Sequence, residues 1–505
     1  MYFLGIDVNI YRVEAALLDP KTGKVQVVSV AFTPLYGRVN PRQIQPRHAW
    51  EKVKEVVGKL LREYRIKGDD IAAVSVTSAQ EAWVAVGEKF EPLHPLVNIR
   101  VNPFEAKDIE LPLGYSAEEL FRINGRGNRS LSGIHNLLWF KQAEPSLFTR
   151  TYKWLNLPEF IQARMAGEVA VDAAGASYYG ALDITRRVWS DSLLAAYGVK
   201  KELFPEVIAP GQAVGKMTRR AAAELGLAEG TPVVVASSGP NCAALSCCLE
   251  ECGCLNLVTE NELLFTTLPA NRAFEINPAD GYTLEPHLNG IDYLCIGTLP
   301  FAIPAVLWVV ENFFPHLAER PIDEIYASLQ AGLETIPAGS DGLVFLPHLI
   351  GSGTPKADAS SRGAIVGLRP KHSKWHVYRA VLEGISYEIR SNLLAISKAT
   401  GRQCPEINAF GWGTENRVAL QIKADVTGVP FSTRLALGGP ACGAAHLAGR
   451  SLGYTETRDL FCAVHGRNRA VYSPDKERKV KYNLEYTRLY SDLYRNLHPI
   501  FTKLS

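Results

Sequence analysis

The chain has 505 residues, of which 47% are hydrophobic and 21% are charged, and its formal net charge is +2. This length is too great for a single core, so two or three domains are expected, and the composition is that of a globular protein. The small net charge excludes the basic footprint of a nucleic-acid-binding protein, so no nucleic acid partner is expected.

The N-terminal part of the chain alternates between predicted strands and a helix. Strands are predicted at Tyr2 to Val8, Arg12 to Asp19 and Val25 to Phe32, followed by another at Ile71 to Val76. Apolar residues at helical spacing between Trp50 and Tyr64 predict a helix that packs on this sheet. The order indicates an α/β fold. The first eight residues, MYFLGIDV, lack the basic segment and long apolar core of a signal peptide, which predicts a cytoplasmic protein.

Helices dominate the next hundred residues before the chain returns to a strand. They are predicted at Ser116 to Leu120, Gly133 to Gln142, Pro158 to Met165, Trp189 to Tyr197 and Arg219 to Leu225.

The central stretch, Thr231 to Phe265, contains a strand, a loop and a helix of small residues. Val233 to Ala236 predicts a buried strand, a turn-prone loop follows, and Cys242 to Leu249 suits a closely packed helix. A strand that ends in a glycine-containing loop before a helix is a natural small-molecule site. An ordinary strand–turn–helix is the alternative, and this stretch alone favours it. The domain boundary is expected between Cys242 and Leu255.

Five of the nine cysteines fall between Cys242 and Cys254. Their spacing matches no standard zinc or iron–sulfur pattern, and an odd total without a signal peptide argues against a disulfide framework. Cysteine also fills tight helix packing as a small apolar residue. Packing and a new metal or redox role are both retained as interpretations of this cluster.

The second half repeats the α/β plan. The most apolar window, Leu294 to Val310, contains Pro300 and Pro304 and predicts a buried strand and helix rather than a membrane span, so no membrane association is expected. The elements predicted after it are a strand at Gly342 to Leu346, a polar loop at Leu349 to Arg362, a helix at Trp375 to Thr400, a strand at Ile407 to Phe410, and helices at Thr414 to Thr427 and Gly439 to Gly453.

Six segments carry a resemblance that covers almost the whole chain: LGIDVNIYRVEAALLD (4–19), GEVAVDAAGASYYGALDITRRVWS (167–190), FLPHLIGSGTPKADASSRGAIVGL (345–368), RAVLEGISYEIR (379–390), FGWGTENRVALQIKADVTGVP (410–430) and GPACGAAHLAG (439–449). Together they resemble the FGGY family of carbohydrate kinases, which includes xylulokinase and glycerol kinase. The resemblance implies two actin-like (ribonuclease H-like) α/β domains around a cleft, with the sugar side at residues 1–245 and the nucleotide side at residues 246–505.

The same resemblance implies a reaction and its cofactors. The family transfers the γ-phosphoryl group of ATP, with Mg²⁺, to a hydroxyl of a sugar or polyol, and a pentulose such as xylulose is the most similar substrate. Family members are often dimers, so a homodimer is among the expected assemblies.

The catalytic position departs from the family pattern. The family carries an aspartate as the base in its central motif, where this chain has Pro240, which has no titratable group. Asn241 matches the next family residue and is a candidate substrate contact. Gln80 and Glu81 fall where the family holds the sugar; Glu81 is a weak candidate surrogate base, and a solvated charge is the alternative.

Both phosphate loops are also altered. In the first, Asn9 and Arg12 stand where the family has small or hydroxyl residues; both are candidate cofactor-binding residues, and Arg12 offers a positive charge to a phosphate. Asp7 is retained as a weak candidate Mg²⁺ ligand or as a buried strand-end carboxylate. In the second, Thr259 and Asn261 align with the family's phosphate-binding residues, beside acidic neighbours that would repel a triphosphate.

The adenosine motif is better retained. Its candidate cofactor-binding residues are Gly411, Gly413, Asn416 and Gly443. Three functions therefore remain open: an active sugar kinase with a different base, a catalytically inactive pseudokinase that binds a nucleotide or metabolite in a regulatory role, and a protein with metal or redox chemistry at the cysteine cluster.

Overall fold

The structure is a computed structural model that describes residues 1–8, 12–31, 45–78, 82–97, 114–127, 132–247, 255–258, 263–320, 322–411, 413–433, 439–465 and 469–504. In these ranges the strands are β1 (Tyr2–Val8), β2 (Arg12–Leu18), β3 (Val25–Ala31), β4 (Ile71–Thr77), β5 (Trp83–Val86), β6 (Lys153–Asn156), β7 (Ala170–Val171), β8 (Leu182–Asp183), β9 (Val188–Trp189), β10 (Glu206–Val207), β11 (Ala213–Lys216), β12 (Pro232–Val235), β13 (Leu255–Val258), β14 (Leu263–Leu268), β15 (Thr283–Pro286), β16 (Tyr293–Thr298), β17 (Val344–Leu346), β18 (Ala364–Val366), β19 (Ile407–Phe410), β20 (Phe431–Thr433) and β21 (Ala470–Tyr472).

The helices in the same ranges are α1 (Pro46–Glu63), α2 (Ala117–Asn124), α3 (Gly133–Ala143), α4 (Pro145–Arg150), α5 (Leu157–Ala166), α6 (Ala173–Ser177), α7 (Asp191–Tyr197), α8 (Arg219–Leu225), α9 (Gly239–Ser246), α10 (Ala302–Phe313), α11 (Ile322–Glu334), α12 (Lys374–Thr400), α13 (Arg417–Thr427), α14 (Gly439–Arg450), α15 (Thr457–His465), α16 (Lys476–Glu485) and α17 (Ser491–Leu504), with a π-helical turn at Tyr486–Tyr490 between the last two.

A mixed six-stranded sheet forms the first half of the molecule, in the order β11-β12-β4-β1-β2-β3. Strands β1, β4 and β12 run parallel to one another, whereas β2, β3 and β11 are antiparallel to their neighbours. Helix α1 buries one apolar face, including Trp50 and Leu60, as its spacing predicts. The three parallel strands therefore end at one edge of this sheet.

A second sheet of seven strands, in the order β15-β16-β14-β13-β19-β20-β21, forms the other half. Strands β13, β19 and β20 are parallel, and Val258 pairs with Phe410, so the chain leaves β13 and β19 at the same edge. The apolar window from Leu294 to Val310 consists of β16 and the start of α10, which confirms a strand and a helix. Within the part of the chain that the structure describes, no helix combines the length and apolarity needed to cross a bilayer.

Helix α14 belongs to the C-terminal part of the sequence but packs on the first sheet. A β-carbon added at Gly5 on β1 would lie 1.9 Å from the Ala441 carbonyl oxygen, and one added at Gly443 would lie 1.9 Å from the Cys242 carbonyl oxygen. The absence of side chains at these glycines lets α14 approach both β1 and α9 at backbone distance. The two halves are thus joined through a helix of small residues.

Candidate functional site

Three parallel strands bring polar residues to one edge of the first sheet. Asp7 lies at the end of β1, in register with Thr77 at the end of β4. The Thr77 hydroxyl donates to the Ser237 carbonyl oxygen at 2.7 Å, which ties the end of β4 to the turn that follows β12. The central loop predicted from the sequence therefore begins at the sheet edge where β1 and β4 end.

Helix α9 begins earlier than predicted, at Gly239 rather than Cys242. Ser238 caps it, because its hydroxyl accepts the Asn241 amide proton at 3.2 Å. Pro240 lies in the first turn, where the missing amide proton costs no intrahelical bond, and it is buried. The position that carries the base in the resembling family is thus an ordinary helix-initiating proline.

Asp172 is a buried carboxylate beside this turn. It accepts hydrogen bonds from the Ser237 hydroxyl at 2.6 Å and from the Gly175 amide at 2.8 Å, and so caps α6. Burial raises the pKa of Asp172 to about 6, against the opposing effect of these hydrogen bonds. Its oxygens are engaged within the protein.

Glu285, on β15, reaches the same turn from the second sheet. Its Oε1 accepts hydrogen bonds from the Ser238 hydroxyl and, at 2.7 Å, from Asn241 Nδ2. The side chain is fully buried, which raises the pKa of Glu285 to about 7, while Ser238 and Arg126 act in the opposite direction. A carboxylate therefore does lie at the N-terminus of α9, but it comes from another element and is bonded in place.

Asn241, the predicted substrate contact, is also fully buried. Besides its bond to Glu285, its Nδ2 donates to the Pro286 carbonyl oxygen at 3.1 Å, and its Oδ1 accepts the Leu288 amide proton at 3.1 Å. Both functional groups of the amide are thus used in joining α9 to the segment from 285 to 288. A substrate role for Asn241 stays a prediction.

At the first phosphate loop the structure describes Asp7 and Arg12, whereas Asn9 lies outside the described residues. Arg12 Nη2 lies 3.0 Å from Glu14 Oε2, and both side chains are largely buried. Glu14 is directly opposite Asp7 in the antiparallel register of β1 and β2, so the two carboxylates share one face of the sheet. The positive charge predicted to meet a phosphate is therefore paired with Glu14.

Four other predicted residues cannot be placed. Gln80 and Glu81 on the sugar side, and Thr259 and Asn261 in the second phosphate loop, lie outside the described residues. Their roles stay predictions.

The adenosine segment follows β19 at the edge of the second sheet. Gly411 and Gly413 have φ angles of +88° and +80°, a conformation that favours glycine. Asn416 caps α13 by accepting the Ala419 amide proton at 3.0 Å, and its Nδ2 donates to the Tyr326 carbonyl oxygen at 3.1 Å. The two glycines fit a backbone surface for a ligand, while Asn416 has a structural partner for each end of its amide.

Cys242 and Cys247 are buried in or just after α9, and burial raises the pKa of Cys242 to about 12. Cys248, Cys252 and Cys254 lie outside the described residues. Among the residues that are described, no three His, Cys, Asp or Glu side chains are arranged to hold a metal ion. The metal or redox interpretation of the whole cluster stays a hypothesis, because three of its five cysteines are not placed.

Glu285 is the main site residue that the sequence did not predict. Its only sequence signal is a single acidic residue within the strand TLEP, and that signal does not indicate a partner on α9. Asp172 appeared only as part of a resembling segment.

Comparison with known proteins agrees with this geometry. Residues 2–246 match the N-terminal domain of the FGGY family of carbohydrate kinases, and residues 283–452 match its C-terminal domain. The chain therefore belongs to the FGGY family of carbohydrate kinases, as the resemblance predicted.

Individual relatives cover nearly the full length. The chain is 25% identical to the xylulose kinase of Bacillus subtilis, over 98% of this chain and 96% of that protein. It is 22% identical to the gluconokinase of Bacillus subtilis, over 100% of this chain and 95% of that protein.

Solved structures confirm the two-domain actin-like fold. The ligand-bound xylulose kinase from Lactobacillus acidophilus superimposes with a TM-score of 0.82 at 25% identity, over 100% of both chains. The gluconate kinase from Lactobacillus acidophilus gives a TM-score of 0.81 at 25% identity, over 100% of this chain and 99% of that one.

Proposed function

We propose that this chain binds ATP and a sugar or polyol as its family does, but transfers the phosphoryl group far more slowly than a member with an aspartate at position 240. Ligand binding, rather than turnover, is then its main activity. The observation that carries this proposal is Pro240, buried in the first turn of α9.

The loss of the base sets the expected size of the effect. A positioned general base contributes roughly 10²- to 10⁴-fold to a proton-transfer step. The nearby carboxylates of Asp172 and Glu285 are buried, and both already accept hydrogen bonds from the protein. These bonds hold both carboxylates on elements other than position 240, so a rate lower by about this factor is expected.

Nucleotide binding is supported by the loops that are retained. The positive φ angles of Gly411 and Gly413 leave the backbone open to close approach, at the sheet edge that the chain also leaves after Val258. Asp7 is a carboxylate at a strand end, and its oxygen chemistry fits Mg²⁺, which would bind there through water and offset phosphate charge.

The substrate class follows from the relatives. Proteins named xylulose kinase and gluconokinase both match over almost the whole chain, so pentuloses and sugar acids are the first ligands to test. The altered sugar-side segment at Gln80 and Glu81 makes a ligand different from xylulose compatible with this proposal.

The first experiment is calorimetry of the purified chain with ATP and Mg²⁺, followed by ADP release with xylulose, other pentuloses, polyols and gluconate. We expect micromolar ATP binding and a kcat below about 0.1 s⁻¹, whereas typical enzymes turn over at about 1–10³ s⁻¹. A kcat in the ordinary range would contradict the proposed slow phosphoryl transfer. Undetectable ATP binding would contradict the proposal that the chain binds ATP.

A variant isolates the role of position 240. Pro240→Asp is expected to raise ADP release above the wild-type rate because it restores a carboxylate at the family's base position. Pro145→Asp makes the same change at the start of α4, where the proline is exposed, and should leave the rate unchanged.

A further inference from the structure

The two halves of the chain meet at β15. The Leu284 amide donates to the Gly125 carbonyl oxygen at 2.7 Å, and a β-carbon on Gly125 would lie 2.3 Å from the Leu284 carbonyl oxygen. On its other side this strand meets the first turn of α9 through Glu285. Residues matched to the family's C-terminal domain thus contact residues matched to its N-terminal domain at backbone distance.

Four hydrogen bonds close this contact at α9. Glu285 accepts from the Ser238 hydroxyl and from Asn241, and Asn241 in turn bonds the backbone at Pro286 and Leu288. Ser238 and Asn241 flank Pro240 on the chain, so the cluster fixes the turn in which position 240 lies. We refer to Glu285, Ser238 and Asn241 as the α9 clasp.

We propose that the α9 clasp is a pH-dependent device that holds the two domains together at position 240, with Glu285 as its titrating group. This inference concerns the arrangement of the domains and does not depend on whether the chain turns over a substrate.

The surroundings of Glu285 give the direction of the dependence. The charged and titratable groups that face it are Arg126 after α2, Tyr178 at the end of α6, and Asp172 before α6. Arg126 stacks on the Tyr178 ring at 3.8 Å and donates from Nε to the Ser177 carbonyl oxygen at 2.8 Å, so it is held close by. Burial, which raises the pKa of Glu285, has a larger effect than the attraction to Arg126, which lowers it.

The sign follows by linkage. The pKa of Glu285 is about 7 in the closed arrangement and its ordinary value is 4.5, which applies when the side chain is solvated. The closed clasp therefore binds the proton more tightly than the open one. Its stability is fully present below pH 4.5 and is lost as the pH rises towards 7.

Hydrogen exchange of the full chain tests this directly. Protection of the peptides that contain residues 239–246 and 283–288, corrected for the intrinsic effect of pH, is compared at pH 5.5 and pH 7.5. We expect wild-type protection of both peptides to fall by about tenfold or more between these values, since each pKa unit corresponds to a tenfold change.

Glu285→Gln keeps the shape and an acceptor oxygen but cannot ionise, so its protection should fall about tenfold less than that of wild type between the two pH values, with any remaining fall due to other buried carboxyl groups such as Asp172. Glu275→Gln is the matched control, because Glu275 is exposed and pairs with Arg272 in the same half of the chain. It should behave as wild type. A fall in Glu285→Gln as large as that in wild type, or no fall in wild type, would overturn the proposal.

A second variant changes a hydrogen-bond donor of the clasp instead of its acceptor. Ser238→Ala removes one donor to Glu285, so protection of both peptides should be lower at both pH values while the fall with pH remains. Because Ser238 also caps α9, this variant does not test the pH dependence by itself. If Glu285→Gln fails to fold, either of two results would still contradict the proposal: no fall with pH in wild type, or protection in Ser238→Ala equal to wild type at both pH values.

Discussion

Gly443→Ala is the substitution for which the structure gives the clearest expected cost. The added β-carbon would lie 1.9 Å from the Cys242 carbonyl oxygen and 2.6 Å from the Cys242 α-carbon. Both are backbone atoms of α9, so no side-chain rotation relieves the overlap. Helix α14 would have to move away from α9 by more than about 1 Å to restore ordinary contact distance.

The magnitude is the difference between two opposing effects. Alanine is favoured over glycine inside a helix by about 1 kcal/mol. Overpacking a tight contact costs about 1–3 kcal/mol and occasionally more, and here α14 is also held against β1 at Gly5. Because the overlap is with backbone atoms, the cost is taken at about 3 kcal/mol, the upper end of that range, and the free energy of unfolding should then fall by about 2 kcal/mol.

Chemical denaturation followed by circular dichroism measures this change. Gly58→Ala is the matched control, because Gly58 lies within α1 and its added β-carbon would meet only the flexible end of Arg62, at 3.2 Å. The control should be neutral or stabilised by up to about 1 kcal/mol. A Gly443→Ala midpoint at or above that of wild type would refute the argument from backbone overlap.

Two buried groups away from the cleft give further predictions. Arg379 donates from Nε to Glu383 at 2.8 Å and from Nη2 to the Tyr482 hydroxyl at 3.1 Å, so Arg379→Met leaves Glu383 buried without its cation and should destabilise by about 3–5 kcal/mol in urea melts; a change below about 1 kcal/mol would contradict this. Burial raises the pKa of Glu159 from 4.5 to about 7, so wild-type stability should fall as pH rises through that window, and Glu159→Gln should reduce the fall by about 3 kcal/mol in melts at pH 5 and pH 8. An unchanged pH slope in Glu159→Gln would show that this group does not titrate on unfolding.

Local signals in the sequence were sufficient for many elements. Helix α8 was predicted at Arg219 to Leu225 with its observed bounds, because Thr218 caps its start and Gly226 ends it. The start of α9 was predicted three residues late, since Pro240 was interpreted as part of a loop although proline is well tolerated in a first helical turn. Helices α16 and α17 were not predicted.

For the site as well, the sequence shows what lies within one motif but not which distant residues contact it. The substitution at Pro240 is visible in a single motif, and so is the loss of the family pattern at Arg12. The motif does not show which side chains contact these positions in the folded protein. Glu285 is 44 positions from Asn241, and it meets α9 only because the second sheet presents β15 to the first.

Pro240 and Glu285 have to be considered together. The N-terminus of α9 favours a negative charge, and in this chain the carboxyl group that lies there is that of Glu285 rather than that of residue 240. An aspartate placed at position 240 would stand on the chain between Ser238 and Asn241, which both bond Glu285. Like charges that are this close raise each other's pKa, which lowers the fraction of the aspartate that is ionised and able to accept a proton. Pro240→Asp combined with Glu285→Gln should therefore release ADP faster than Pro240→Asp alone, with Pro240→Asp combined with Glu275→Gln as the control. Equal rates for the two double variants would show that Glu285 does not limit an aspartate at this position.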